Sequence, residues 1–113
     1  MRDKILDLVT RHCATLRVEA AEIDAAMADL ARDPSGTGSD LVGRVHKLKG
    51  SSGSIGFTEI SELCRQMEEI LRAAQGRPRT EADLTEIRAR HAMLRDRIAG
   101  IAPEHSTLYK RFA

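Results

Sequence analysis

Apolar residues recur along the chain at intervals of three and four positions, in four segments separated by turn-forming residues. This spacing places them on one side of an α-helix. The predicted helices run from about Asp3 to Ala31, from Ser39 to the glycines at 53–56, from about Thr58 to Ala74 and from near Thr80 to Ile101. Four amphipathic helices with short connections bury their apolar sides most simply in an antiparallel, up-and-down bundle. The pattern therefore predicts an all-α four-helix bundle.

The apolar stripes give the expected core of this bundle. In the second helix the stripe is Leu41, Val45, Leu48, Ser52 and Ile55. In the first helix the stripe is Ile5, Val9, Leu16, Ala20, Ile23, Met27 and Leu30. In the third helix it is Ile60, Leu63, Cys64, Met67, Ile70 and Leu71. In the fourth helix it is Leu84, Ile87, His91, Leu94, Ile98 and Ile101. Residues 1–101 are predicted to form the bundle. Residues 102–113 are left as a C-terminal tail, in which Leu108, Tyr109 and Phe112 are candidates for a short packed turn.

Helix-ending and helix-starting residues lie between the segments. The run 33–38, rich in Gly, Pro and Ser, ends the first helix, and Ser39 is a candidate N-cap for the second. The run 76–78 ends the third helix. Thr80 and Asp83 form a variant of the capping box at the start of the fourth helix. These signals support four separate helices.

The composition narrows both fold and function. A chain of 113 residues with no Trp, one Tyr and two Phe fits one helical domain better than a β-rich core. The net charge of +1, with no basic stretch interleaved with aromatic residues, argues against nucleic acid as a partner. No apolar run approaches the roughly 20 residues that span a bilayer, and the first residues lack a signal-type apolar block. We therefore expect a cytoplasmic monomer with two reduced, buried cysteines.

The second helix carries the candidate chemistry. His46 points roughly 140° away from the centre of the apolar stripe, toward solvent. Val42, Gly43, Lys49, Gly50 and Gly53 lie within two turns of it on the same exposed side. Neutral imidazole is a nucleophile that can carry a phosphoryl group as a phosphoramidate, and the Lys49 ammonium would attract phosphoryl oxygens. Gly50 keeps the space beside the ring open, at about 1 kcal/mol of helix propensity relative to alanine.

At these residues the sequence resembles the histidine-containing phosphotransfer (HPt) domains of two-component phosphorelays. The motif of that family reads approximately H-x-L-K-G-x-S-x-x-x-G, and it is matched in register by His46, Leu48, Lys49, Gly50, Ser52 and Gly56. Some members carry a glutamine on the following helix near the phosphoryl group. A gap-free alignment places Glu68 at that position, with Gln66 two residues earlier.

The resemblance implies a role for each matched residue. His46 would be the phosphoacceptor, Lys49 its electrostatic stabiliser, Gly50 the clearance residue and Ser52 a helper in positioning the imidazole. The surface formed by Val42, Gly43, Lys47, Gly50 and Gly53 would dock receiver domains of a hybrid histidine kinase or a response regulator. The chain would bind no cofactor itself and have no ATP-dependent kinase activity, because the receiver supplies the acidic cluster and Mg²⁺.

Other functions fit these residues less well. A helical adaptor could bind a receiver or another protein without chemistry, but it would not need the His46-x-x-Lys49-Gly50 motif. The dimerisation and phosphotransfer segment of a kinase would be a two-helix hairpin rather than four stripes. The run 50–56 fits neither the Walker nor the dinucleotide pattern. His12 and His91 lie on apolar stripes and are interpreted as hydrogen-bonded packing residues, not as metal ligands with Cys13.

Overall fold

The four predicted helices are present in the computed structural model, which describes residues 2–32, 39–75 and 79–113. They are α1 (Arg2–Arg32), α2 (Ser39–Ser54), α3 (Thr58–Ala73) and α4 (Glu81–Ala99). A 3₁₀ turn, Pro103–His105, and a short helix, α5 (Thr107–Phe112), follow them. No strand occurs in these three described ranges. The prediction of an all-α four-helix bundle is confirmed.

The predicted stripes form one continuous core. All five stripe residues of α2 are buried, including the small polar Ser52. Ile101, which follows α4, is also in the core. The core residues of the other helices are Val9, Cys13, Leu16, Ile23, Ala26, Leu30, Ile60, Leu63, Cys64, Met67, Leu71, Leu84, Ile87, Leu94 and Ile98. Each fully buried Leu, Ile or Met contributes roughly 1.5–3 kcal/mol by leaving water. Ile5, Ala20, Met27, Ile70 and His91 are only partly buried.

The order of packing places α2 between two neighbours. α2 contacts α1 on one side and α3 on the other, and α3 in turn contacts α4. α4 returns to α1, where His91 Nε2 lies 2.7 Å from Asp24 Oδ1. His91 is thus a hydrogen-bonded packing residue, as predicted. His12 is different, because its half-buried ring leaves Nε2 without a hydrogen-bond partner among the described residues.

The helix ends follow the sequence signals where they are described. Thr80 caps α4, accepting from Asp83 N at 3.1 Å, while Asp83 Oδ2 accepts from Thr80 N at 2.9 Å. The capping box is therefore confirmed. The Ser39 side chain and the predicted breaks at 33–38 and 76–78 lie outside the described residues.

The C-terminal segment holds the corner between α2 and α3. Gly56 at this corner has φ +89°, and a Cβ on it would lie 2.7 Å from Leu108 N. Thr107 N donates to Gly56 O at 2.9 Å, and the buried Ser106 hydroxyl donates to Ile55 O. These bonds satisfy carbonyl groups that follow the end of α2 and would otherwise need water. α5 then packs against α1.

Two further properties concern membrane-spanning helices and the two cysteines. Within the described ranges, no helix is long and apolar enough to serve as a membrane span. Cys13 and Cys64 are free and buried. Burial, with the nearby carboxylates of Glu19 and Glu68, raises the pKa of Cys64 to about 12, so this thiol stays protonated at neutral pH.

Candidate functional site

Helix α2 presents His46 to solvent opposite the buried stripe. The His46 side chain is 59% exposed, whereas Leu48 and Ser52 on the other side of the helix are fully buried. Among residues 2–32, 39–75 and 79–113, one side chain is hydrogen-bonded to the ring. Its Nδ1 lies 2.8 Å from Oε2 of Glu68, on the neighbouring helix α3.

Glu68 is a buried carboxylate surrounded by donors. Its Oε1 accepts from Lys49 Nζ at 2.5 Å, and its Oε2 accepts from Arg72 Nη2 at 2.7 Å and Nε at 2.9 Å, as well as contacting His46. Burial acts to raise the pKa of Glu68. The hydrogen bonds from Lys49, Arg72 and His46 outweigh it and lower that pKa to about 2. The side chain, only 7% exposed, is therefore an anion at neutral pH.

The ionised Glu68 decides which imidazole nitrogen is reactive. A carboxylate can only accept hydrogen bonds, so Nδ1 of His46 must be the donor in this pair. The neutral ring then carries its proton on Nδ1, and the lone pair lies on Nε2. The contact thus leaves Nε2 as the nucleophilic nitrogen of a ring that is more than half exposed.

Lys49 lies beside His46, bound to the same carboxylate. Its side chain is 31% exposed, and it follows His46 by one helical turn. The sequence predicted a cation at this position but did not predict its hydrogen bond to a carboxylate. Arg72, 52% exposed, adds a second cation that the sequence analysis missed. The available signal was its position one turn after Glu68 on the same side of α3.

The glycines of α2 differ in what surrounds them. A Cβ on Gly43 or Gly50 would meet nothing within 4 Å, so the helix surface beside His46 is open. A Cβ on Gly53 would meet the Ser61 hydroxyl oxygen at 3.1 Å. Gly53 therefore permits close packing of α3, a role the sequence analysis did not assign to it. Lys47 is exposed next to His46.

Val42 lies elsewhere than expected, and Ser52 is buried as its stripe position predicts but makes no hydrogen bond to the imidazole. Val42 is 5% exposed and belongs to the core, so the prediction that it lies on the exposed side of the helix with His46 is wrong. On the helical wheel it lies on the flank that also carries Lys49, which is the flank facing α3. Ser52 is buried, and its hydroxyl donates to Leu48 O at 2.6 Å. That bond stays within α2 and does not reach the imidazole.

His46 lies on an exposed surface of α2. A cavity of about 450 Å³ does exist between the start of α3 and the end of α4, but none of the predicted site residues lines it. An exposed ring on a convex helix suits a reaction partner that is itself a protein.

The chain matches a known family of protein domains. A sequence model of the Hpt domain matches residues 7–97, well over half of the chain. The chain belongs to the Hpt domain family. Hpt domains act in histidine phosphotransfer within two-component signalling, and they interact with receiver domains and kinases. Searches among curated proteins and among solved structures found no match.

Proposed function

We propose that this Hpt domain relays a phosphoryl group between aspartates of receiver domains through Nε2 of His46. The observation that carries the proposal is the bond between Nδ1 and the buried, ionised Glu68, which directs the lone pair to the exposed nitrogen. In the first step the P–O bond of an aspartyl phosphate breaks and a P–N bond to Nε2 forms. The donor leaves as a carboxylate, and Nδ1 keeps its proton.

The retained proton makes the relay reversible. Phosphorylation of Nε2 gives a cationic ring, whose Nδ1–H still donates to the Glu68 anion. When an aspartate of a second receiver attacks phosphorus, the P–N bond breaks and imidazole leaves as a neutral group. Lys49 and Arg72 carry two positive charges against the single charge of Glu68, and this excess favours a bound phosphoryl group.

The proposed docking surface consists of Gly43, Lys47 and Gly50, which surround His46 on the exposed side of α2. Two bare glycines let a receiver approach the ring closely. We place the Mg²⁺ of the reaction on the receiver, where it would neutralise the transferring group. The monomeric state and the cytoplasmic location stay predictions.

Transfer of label tests the proposal directly. A phosphorylated receiver or a small phosphoramidate donor is incubated with the wild-type chain and with His46→Gln. We expect acid-labile, alkali-stable label on the wild type and none on the variant. His105→Gln is the matched control, because His105 is another exposed histidine and lies outside the site. Absence of label from the wild type with every competent donor would refute the relay and leave a non-catalytic adaptor.

A further inference from the structure

Helices α2 and α3 also meet at a second point, two helical turns from His46. Ser61 Oγ donates to the backbone oxygen of Lys49 at 3.0 Å, which joins α3 to α2. A Cβ on Gly53 would stand 3.1 Å from the same Ser61 oxygen and 3.7 Å from Ser61 Cβ. The hydroxyl therefore lies a few tenths of an ångström too close for a side chain at position 53 to fit without a shift.

This contact stands in register with the reactive pair. Gly53 follows His46 by seven residues on α2, and Ser61 precedes Glu68 by seven residues on α3. Seven residues are two helical turns, so each pair lies on nearly the same side of its helix, about 10 Å from the other pair. Because α2 and α3 are antiparallel, the separation of the two helices at Gly53 and Ser61 also determines their separation at His46 and Glu68.

We infer that Gly53 and Ser61 are positioning residues, whose contact sets the spacing of α2 and α3 at which Glu68 reaches His46 Nδ1. Lys49 links the two levels, because its backbone oxygen binds Ser61 while its ammonium binds Glu68. The inference about geometry stands without phosphotransfer, and only its consequence for rate rests on the proposed function.

An added methyl group at position 53 has two ways to be accommodated. The Ser61 hydroxyl turns away and loses its bond to Lys49 O, or the helices separate by a few tenths of an ångström. Either change loosens the 2.8 Å contact between His46 and Glu68, and hydrogen bonds weaken as the distance passes about 3.2 Å. Removing the Ser61 hydroxyl as well leaves the new methyl group at ordinary contact distance from Cβ of residue 61.

The first test reads the tautomer of His46 without any phosphoryl donor. Nitrogen-15 chemical shifts of the ring, measured at alkaline pH, are widely separated when the proton stays on Nδ1 and converge when tautomers mix. We expect Gly53→Ala and Ser61→Ala to narrow this separation. The thermal midpoint of Gly53→Ala should stay close to that of the wild type, because the helix propensity of alanine offsets the disturbed Ser61 contact. The matched controls Ser54→Ala and Gly100→Ala should keep the wild-type shifts. Ser54 donates to Gly50 O within its own helix, and a Cβ on Gly100 would lie 3.9 Å from the nearest described atom.

The second test uses the double variant Gly53→Ala/Ser61→Ala. If sterics at this contact set the spacing, the double variant has ring shifts no further from wild type than Ser61→Ala alone, a non-additive result. Phosphorylation of His46 by a small donor should be roughly three- to tenfold slower in Gly53→Ala, since misplacement by 1 Å costs about 100-fold. Wild-type shifts in both single variants would overturn the inference, even if His46 is phosphorylated. Failure of the wild type to accept a phosphoryl group would instead refute the proposed function and leave the shift experiment valid.

Discussion

Replacing Glu68 by glutamine tests the electrostatic basis of the site. The substitution keeps the size of the side chain and removes the charge that accepts from His46 Nδ1, Lys49 and Arg72. A glutamine oxygen can still accept one of these bonds, but the amide nitrogen then faces another donor. The preference of the ring proton for Nδ1 should therefore weaken.

The size of the effect follows from the loss of charge. A hydrogen bond to a charged group contributes about 1.5–3 kcal/mol, against about 0.5–1.5 kcal/mol for a neutral pair. The ring becomes cationic as Nε2 bonds to phosphorus, and the stabilisation that residue 68 gives to this developing charge thus falls by roughly 1 to 1.5 kcal/mol. Since 1.4 kcal/mol is a factor of ten, phosphorylation at Nε2 should be about five- to tenfold slower.

The assay is the initial rate of labelling by a small phosphoramidate donor, so that docking of a receiver does not contribute. Glu69→Gln is the matched control, because Glu69 adjoins Glu68 in sequence but is exposed and pairs with Arg65 on the surface. Circular dichroism checks that both variants are folded. A Glu68→Gln rate equal to or above that of the wild type, or an equal loss in Glu69→Gln, would show that the carboxylate does not direct the reactive nitrogen.

Three further predictions concern stability and access. The pKa of Glu68 falls from 4.5 to about 2 on folding, so the ionised group stabilises the fold above about pH 4.5, and up to about 3 kcal/mol of this stability is lost as the pH falls toward 2. The free energies of urea unfolding of the wild type and Glu68→Gln should therefore depend differently on pH between 4.5 and 2, and parallel pH profiles would contradict this. Gly56→Ala should lower the free energy of unfolding by at least about 1–2 kcal/mol, because φ +89° strains an L-residue and its Cβ would meet Leu108 N. Gly43→Ala, the matched control, should leave that free energy unchanged or raise it by up to about 1 kcal/mol, and equal stabilities of the two variants in thermal or urea unfolding would contradict the tight corner. Gly50→Gln should raise the free energy of unfolding by up to about 1 kcal/mol, because glutamine favours helix and a Cβ at this position meets nothing within 4 Å. It should nevertheless slow phosphoryl transfer from a receiver more than transfer from a small donor, and equal slowing with both donors would show that Gly50 does not provide clearance for the receiver.

The helices and the core could be predicted because both depend on local spacing. Each stripe is visible within its own segment, and the capping box of α4 uses residues three apart. The exposure of His46 followed in the same way from the apolar stripe of α2. These features need no knowledge of how the helices are arranged.

The burial of Val42 and the contacts of Glu68 depend on how α2 and α3 pack together, which the pattern of one helix does not show. Val42 lies about 100° from the centre of the α2 stripe, and only the packed bundle shows that this flank is buried. Glu68 aligned with the glutamine of some family members, but its bonds to His46 and Lys49 depend on the register between two helices. The bonds that Ser106 and Thr107 make with Ile55 and Gly56 join residues 51 positions apart, beyond the reach of local patterns.

The corner held by Ser106 and Thr107 determines where this domain can be joined to others. The family match stops at residue 97, yet the carbonyl groups of Ile55 and Gly56 find their partners at residues 106 and 107. A chimaera that exchanges Hpt domains at the edge of the match would separate the end of the histidine-bearing helix from its own support. A junction placed after Phe112 would transfer the helix and that support together, so the natural unit of exchange is larger than the family signature.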